Sequence, residues 1–479
     1  MRRSEVESPM SGGELAGRFA ILALISVSLG ALAHHAWGLN HAQTLSVTVF
    51  LVIILATLFF WSFRLAIAFL GLPVLMLTKT LELDCFREHC ALEVILFLIG
   101  MMVVVGGLRD LGFFTWIIQS IMKMKGMTGR RFVLVTAGAS ALTASAVDEV
   151  TSILFMAALI FQVCDVLKVR PVPFLIISVM ATNVGSAGTM LGNPVGILIG
   201  SRAGLTFEDF MLWAFPVMLM SLVATIALLL VWYRREIREL DERLQQRRKH
   251  ALPLGPTVAV PVRAGLLLIV GTIGLVALHH RIELLLGLET NTVLYMAPLV
   301  AAGIVMIWRR ERARYYIEHD VEWWTLLFFL MLFGVAGTLQ YTEVTSEIAL
   351  SLKQQIGGEA AMVPIVMLLS ALGSAFVDNV IFVAAFIPVV QELIGDAAPV
   401  HPLWWALLFG ACFGGNITMI GSTANIVALG MMEKRYRTRI VFLEWFRVGL
   451  AAAFTACLIA WLALLVTGPI MLATSGHQT

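Results

Sequence analysis

The sequence is poor in charge. Asp, Glu, Lys and Arg make up 13% of its 479 residues, against about 25% in a soluble domain. Too few charges remain to solvate the surface of a chain that is 59% hydrophobic with mean hydropathy +0.90. There is no GxxxxGK[ST] phosphate loop, so the chain shows no ATPase of its own. Its five cysteines form no CxxC pair, which excludes a zinc ribbon and a dense disulfide framework. Net charge is only +2, and the basic residues sit in short clusters between apolar runs, which is no nucleic-acid footprint. Soluble enzymes and primary pumps are disfavoured. An all-α, polytopic membrane protein is expected.

Apolar runs long enough for a bilayer, about 20 residues each, recur along the chain. They include Phe19–Trp37, Thr44–Trp61, Ala91–Leu108, Phe210–Tyr233, Thr292–Trp308, Trp323–Gln340 and Phe442–Thr467. Polar residues interrupt four others. Phe132–Leu167 contains Asp148-Glu149, Met362–Leu393 contains Asp378-Asn379, and Pro173–Gly200 and Trp404–Met432 are broken by Gly and Asn. Arg2 and Arg3 precede the first run, but a lead carrying Glu5, Glu7 and Glu14 predicts a retained helix, not a cleaved signal peptide.

An internal repeat is the strongest signal. SALTASAVDEV from Ser140 aligns with SALGSAFVDNV from Ser370, at an offset of 230. TMLGNPVGI from Thr189 aligns with TMIGSTANI from Thr418, at an offset of 229. Upstream, Glu93 meets Glu322, and Gly106-Gly107-Leu108 meets Gly337-Thr338-Leu339. Shared apolar composition explains repeated Leu and Val, but not an Asp at matched distance from a Thr.

Basic residues set the expected topology. With an internal N-terminus, about eleven spans and the two Asp-bearing runs as re-entrant hairpins, one side collects most of them. Arg64, Lys123, Lys125, Arg130, Arg131, Lys168, Arg170, the cluster 234–249, Arg309 to Arg314, and Lys434 to Arg439 fall inside. Lys79, Arg87, Arg202, Arg281 and Lys353 fall outside. The expected organisation is an N-terminal segment (1–43), a first repeat (44–233), a cytoplasmic linker (234–262) and a second repeat (263–479). The hairpin 131–166 then opens inward, 361–396 opens outward, and the tail Gly476–Thr479 is external. The expected location is the plasma (inner) membrane.

Carboxylates in the middle of apolar runs are costly and point to function. Hairpin tips near the midplane would expose Asp148, Glu149 and Asp378 to a cavity instead of lipid. Glycine-rich breaks in matched halves point to a transporter site, because unwound backbone and half-helix ends offer ligands to ions. The candidate substrate- or ion-binding residues are Asp148, Glu149, Thr151, Asn183, Thr189 and Asn193 in the first half. In the second they are Asp378, Asn379, Asn416, Thr418, Ser422, Thr423 and Asn425. Thr143, Ser145, Ser152 and Ser374 also flank the tips. Na⁺ is the candidate metal at tips and breaks, no catalytic residue or other cofactor is expected, and the coupling ion is H⁺ or Na⁺. Adjacent Asp148 and Glu149 repel each other when both ionise.

The remaining features receive milder readings. His34-His35 and His279-His280 are expected as interfacial histidines. Trp323-Trp324 and Trp404-Trp405 fit an aromatic belt. Phe113–Ile117 and Glu343–Lys353 fit in-plane helices. Cys164, Cys412 and Cys457 read as small apolar fillers. Cys85 and Cys90 share the expected outer loop 81–91, where an oxidising compartment permits a disulfide; the sequence leaves bridged and free forms open.

With SALTASAVDEVTSILF, MATNVGSAGTMLGNPVGILI, VEWWTLLFFL, SAFVDNVIFVAAFIPV and GGNITMIGSTANIVALG, the chain resembles the ion transporter superfamily over roughly residues 44 to 468. The branch is that of arsenite permeases, NhaD sodium/proton antiporters and the P protein, beside citrate and dicarboxylate symporters. The resemblance implies two inverted repeats of five helices plus a hairpin, an elevator-like motion and a homodimer. It places the site at the Asp148 and Asp378 tips and at the breaks Asn183–Gly196 and Gly415–Asn425. Two departures stand out. Relatives commonly carry Asp-Asn where this chain has Asp148-Glu149, and Gly-Asp-Pro-Pro-Asn where it has Gly192-Asn193-Pro194-Val195-Gly196.

The expected function is secondary transport of a small inorganic ion or neutral metalloid, either Na⁺/H⁺ antiport or efflux of an arsenite- or silicic-acid-type hydroxide. Three carboxylates would repel a citrate-like anion at low dielectric, so a citrate or dicarboxylate symporter is the alternative, and a passive channel the second.

Overall fold

The computed structural model describes residues 12–60, 63–249, 262–356, 358–395 and 400–475. The first eleven residues of the leader, the linker from His250 to residue 261 and the tail Gly476–Thr479 lie outside them. All regular structure among the described residues is helical. Six helices are long and apolar enough to cross a membrane, or up to seven if Val262–Ala277 and His279–Leu286, bent by 56°, count as one span. Spans assembled from two short pieces escape such a count, and two of these carry the site.

The described chain forms two compact units. The smaller comprises the described residues within 12–92 and 323–355. In it His41–Phe59 packs between Gly12–Trp37 and Arg64–Leu77, and Trp323–Tyr341 lies against Arg64–Leu77 and Leu83–His89. Gly334 and Gly337 let Phe86 and His89 sit close to the Trp323–Tyr341 backbone. Arg64 is buried with its guanidinium 4.7 Å from the Phe328 ring centroid. The expected outer loop is instead a helix, Leu83–His89, and both its cysteines are free thiols. Cys85 Sγ faces His89, whereas Cys90 Sγ donates to the Arg87 carbonyl, so the two turn to different partners. Burial, then Glu88 and Glu82, pushes the Cys85 thiol above its ordinary value and keeps it protonated at neutral pH.

The larger unit comprises the described residues within 93–322 and 356–475. Its centre is two helical hairpins and two broken helices. The first hairpin joins Gly129–Ala146 to Glu149–Leu167 through Val147 and Asp148. It folds back on itself, since Thr143 Oγ1 meets Ser152 Oγ at 2.7 Å and Ser152 Oγ donates to the Ser140 carbonyl. The second joins Glu359–Phe376 to Asn379–Ile394 through Val377 and Asp378, and Phe382 closes over Gly373. The first broken helix is Val172–Gly185 followed by Pro194–Ala203; the second is Pro402–Gly414 followed by Thr423–Tyr436. Glycine and an N–H-lacking proline cannot sustain the ladder through the first break.

The repeat seen in sequence recurs as contacts. Gly185 abuts the backbone of Ala141, and Gly414 that of Ala371. Thr189 Oγ1 donates to the Ser145 carbonyl and Thr418 Oγ1 to that of Ala375. These pairs lock each break to its own hairpin tip. The leading arm of each hairpin runs alongside its broken helix in the same direction, as Phe132–Phe174, Ser140–Ser178 and Ser145–Gly185 show. Glu149–Leu167 in turn runs parallel to Thr423–Tyr436: Glu149 meets Ser422 at their starts, and Asp165 meets Arg435 at their ends. The leading piece of the first broken helix therefore runs opposite to the trailing piece of the second, as inverted halves require.

The charge distribution follows. Gly129 N–H donates to Asp241 of the linker helix Arg234–Lys249, which packs on both arms of the first hairpin. Asp165, near the end of the same hairpin, pairs with Arg435 and Tyr436. Arg130, Arg131, Lys168, the linker arginines and Lys434 to Arg439 thus gather at one end of this assembly. The tryptophans divide differently from the aromatic-belt expectation. Trp323 and Trp324 are exposed, but Trp404 and Trp405 are buried, Trp405 packing edge-on against Phe210 at 5.1 Å. They start the second broken helix, which is enclosed by Glu359–Phe376 and Phe442–Ser475.

Close backbone approach at the two breaks has a measurable consequence. Adding a methyl at Gly185 or Gly414 would overlap the Ala141 or Ala371 backbone. Gly185→Ala and Gly414→Ala should each destabilise by about 1–3 kcal/mol. Gly138→Ala, at a helical position with no neighbour within 4 Å, should be neutral or stabilising, by up to about 1 kcal/mol. Thermal unfolding of the detergent-purified variants reads the difference; three equal midpoints would refute it.

Candidate functional site

The trailing arm of each hairpin and the trailing piece of each broken helix begin on capping residues. Asp148 accepts from Thr151 N–H, Asn193 from Gly196, Asp378 from Val380 and Ser422 from Ala424. Such caps satisfy otherwise orphaned donors and contribute about 1 kcal/mol each. Three of these helix starts meet. Ser422 reaches Glu149, and Thr423 Oγ1 donates to Asp378 Oδ2 at 2.6 Å. Carboxylates at helix N-termini are favoured by the macrodipole.

An asparagine cluster lies beside these starts, and its amide orientations can be fixed in sequence. Asn425 Nδ2 donates to two backbone carbonyls, those of Gly415 at 2.7 Å and Thr418 at 2.9 Å. Its Oδ1 must therefore point the other way, where Asn183 Nδ2 donates to it at 2.8 Å. Asn183 Nδ2 also donates to Asn416 Oδ1 at 2.8 Å, while Asn416 Nδ2 points to the Met180 carbonyl. With both Asn183 amide hydrogens used, its Oδ1 faces Ser422 Oγ at 3.1 Å. Glu149 Oε1 faces the same hydroxyl at 3.2 Å. One hydroxyl carries one hydrogen and can serve only one of them. Glu149 Oε2 is buried and has no hydrogen-bond partner in the described structure. The cluster has more acceptors than donors, and Asp378 adds negative charge close to Glu149. A proton or a small cation would supply what is missing.

Of the thirteen sequence candidates, Glu149, Asn183, Asn416, Ser422 and Asn425 form this cluster, with Asp378 and Thr423 bonded beside it. Asp148 and Thr151 pair locally at the first tip. Thr189 and Thr418 tie breaks to tips. Asn193 turns to Ser186 and Cys412, and Asn379 Oδ1 accepts its neighbour's Val380 N–H. Two supporting residues gave no sequence signal. Trp445 Nε1, from the helix Phe442–Ser475, donates to the Asn416 carbonyl at 3.1 Å, and Gly449 lets that helix touch the same break. The thiol of Cys412 is more than a filler, because it accepts from Asn193 Nδ2.

Paired hairpins, two broken helices crossing in opposite senses and apolar spans define a multi-pass membrane transporter fold. The YdaH transporter of Alcanivorax borkumensis shares it: its crystal structure superposes with a TM-score of 0.54 at 14% identity, covering 89% of this chain and 98% of that one. Residues 48–410 match the citrate transporter (CitMHS) family, and the chain belongs to it. An uncharacterised transporter of Mycobacterium tuberculosis is 34% identical over 401 residues, covering 80% of this chain and 90% of its own. The human P protein is 29% identical over 79% of this chain, which spans 54% of that relative. The chain is a membrane transporter.

Proposed function

We propose that this chain is a secondary active transporter whose coupling ion, H⁺ or Na⁺, binds at Glu149 between Asn183 and Ser422. The acceptor surplus there carries the reading: two acceptors compete for the single Ser422 hydrogen, and a buried Glu149 oxygen has none. The ion would sit where both inverted halves contribute ligands, so its binding would couple their movement. The substrate would be a small inorganic cation or a neutral hydroxide of the arsenite or silicic acid type. A citrate-like anion is the second reading, favoured by the family's description and by three helix N-termini meeting at one place. Against it, Glu149 and Asp378 already answer those positive ends.

In proteoliposomes, wild type should move substrate in response to an imposed pH or Na⁺ gradient. Glu149→Gln should lose that response by tenfold or more, and Asp378→Asn, which also loses its bond from Thr423, should lower the rate. Wild-type gradient dependence in Glu149→Gln would sink the coupling site; uptake of citrate against its gradient would favour the second reading.

The basic face carrying the linker helix would be cytoplasmic by the positive-inside rule, with the N-terminus inside and the C-terminus outside. A cysteine replacing Arg243 should react with impermeant maleimide only from the inside, and one replacing Glu289 only from the outside. Labelling of both from one side would overturn the orientation.

A further inference from the structure

The duplicated architecture gives every ligand of the Glu149 cluster a partner position in the other half. The offsets of 230 in the hairpins and 229 in the breaks carry Glu149 to Asn379, Asn183 to Cys412, and Ser422 to Asn193. They also relate Asn416 to Ala187 and Asn425 to Gly196. The correspondence is spatial as well as sequential. Asn183 Oδ1 lies 3.1 Å from Ser422 Oγ, and at the related position Asn193 Nδ2 lies 3.1 Å from Cys412 Sγ.

The two positions differ in chemistry. The Glu149 cluster has a carboxylate with one unpartnered oxygen, set among Asn183, Asn416, Asn425 and Ser422. Its mate replaces the carboxylate by an amide, one asparagine by a thiol, and two asparagines by Ala187 and Gly196, which offer no side-chain oxygen. A thiol is a weak acceptor and a poor ligand for hard cations. Asn193 does not remedy this, because its Oδ1 is taken by Gly196 N–H and its Nδ2 by Ser186 and Cys412. An ion there would be desolvated with no carboxylate and few side-chain oxygens among its own ligands.

We propose that the chain binds one coupling ion, at the Glu149 position, and that the symmetry-related position at Cys412 is a remnant with no carboxylate of its own. This deepens the coupling-ion reading and rests on it. The asymmetry divides the labour between the halves: the second broken helix supplies oxygens to an ion whose carboxylate comes from the first hairpin. With a neutral substrate, each cycle would then move a single charge.

The test is a count of ions. Purified full-length chain is titrated with NaCl by calorimetry, beside Glu149→Gln and Cys412→Ala. Proton uptake between about pH 9 and about pH 6, above the range where ordinary carboxylates titrate, is compared between wild type and each variant, so that the histidines and the other acidic residues cancel. Wild type should bind one Na⁺ per chain, or take up about one proton more than Glu149→Gln, and Cys412→Ala should match wild type in both. Two Na⁺ per chain in wild type would overturn the proposal, and so would a Na⁺ surviving in Glu149→Gln or an equivalent lost in Cys412→Ala. The wild-type Na⁺ count and the Cys412→Ala comparison decide the matter even if Glu149→Gln fails to fold. No saturable Na⁺ in wild type together with no proton difference from Glu149→Gln would instead refute the coupling-ion reading itself, and this inference with it.

Discussion

The Asn425 amide is the constraint on which the centre of this transporter depends. Two backbone carbonyls of the unwound second break hold its nitrogen. That choice propagates: Asn425 presents oxygen, Asn183 must answer with nitrogen, and the Asn183 oxygen is turned toward Ser422 and Glu149. A broken helix is thus not a defect that the chain tolerates. Its freed carbonyls set the polarity of a buried network that crosses from one half of the repeat to the other. In a low-dielectric interior such a network is stable only when every donor and acceptor is matched, which makes the unmatched Glu149 oxygen the informative feature.

The surrounding architecture keeps that network in place without freezing it to a single element. Each break is bolted to its own hairpin tip by a threonine and by glycine-to-alanine backbone contact. The halves are tied by polar contacts at the centre and the basic end, Glu149 with Ser422, Asn183 with Asn416 and Asn425, and Asp165 with Arg435 and Tyr436, and by apolar packing of Phe215–Trp232 on Phe442–Ser475. The exposed Asp165–Arg435 pair contributes little by itself, roughly 0–1 kcal/mol.

Much of this was legible in the sequence. Hairpin tips at Asp148 and Asp378 and breaks after Asn183 and Gly414 follow from polar interruptions that recur at one offset, and duplication made them stand out. Which candidates meet was not legible. Glu149 and Ser422 are separated by 273 positions, and nothing local distinguishes Ser422 from Thr189, whose hydroxyl is spent on a backbone carbonyl. Trp404 and Trp405 misled for a related reason. Tryptophan near the end of an apolar run usually marks the interface, but these two sit on a helix enclosed by others. Trp445 and Gly449 reach the second break from an apolar helix whose pattern carries no mark of that contact.

The central claim is that Glu149 exchanges a proton or Na⁺ inside the asparagine cluster. Infrared difference spectroscopy tests it directly, comparing purified protein in Na⁺-free acidic medium with the same protein in alkaline medium containing Na⁺. The account predicts a carboxylic-acid carbonyl band that disappears on this change and is missing from the difference spectrum of Glu149→Gln. Identical difference spectra for wild type and Glu149→Gln would contradict it.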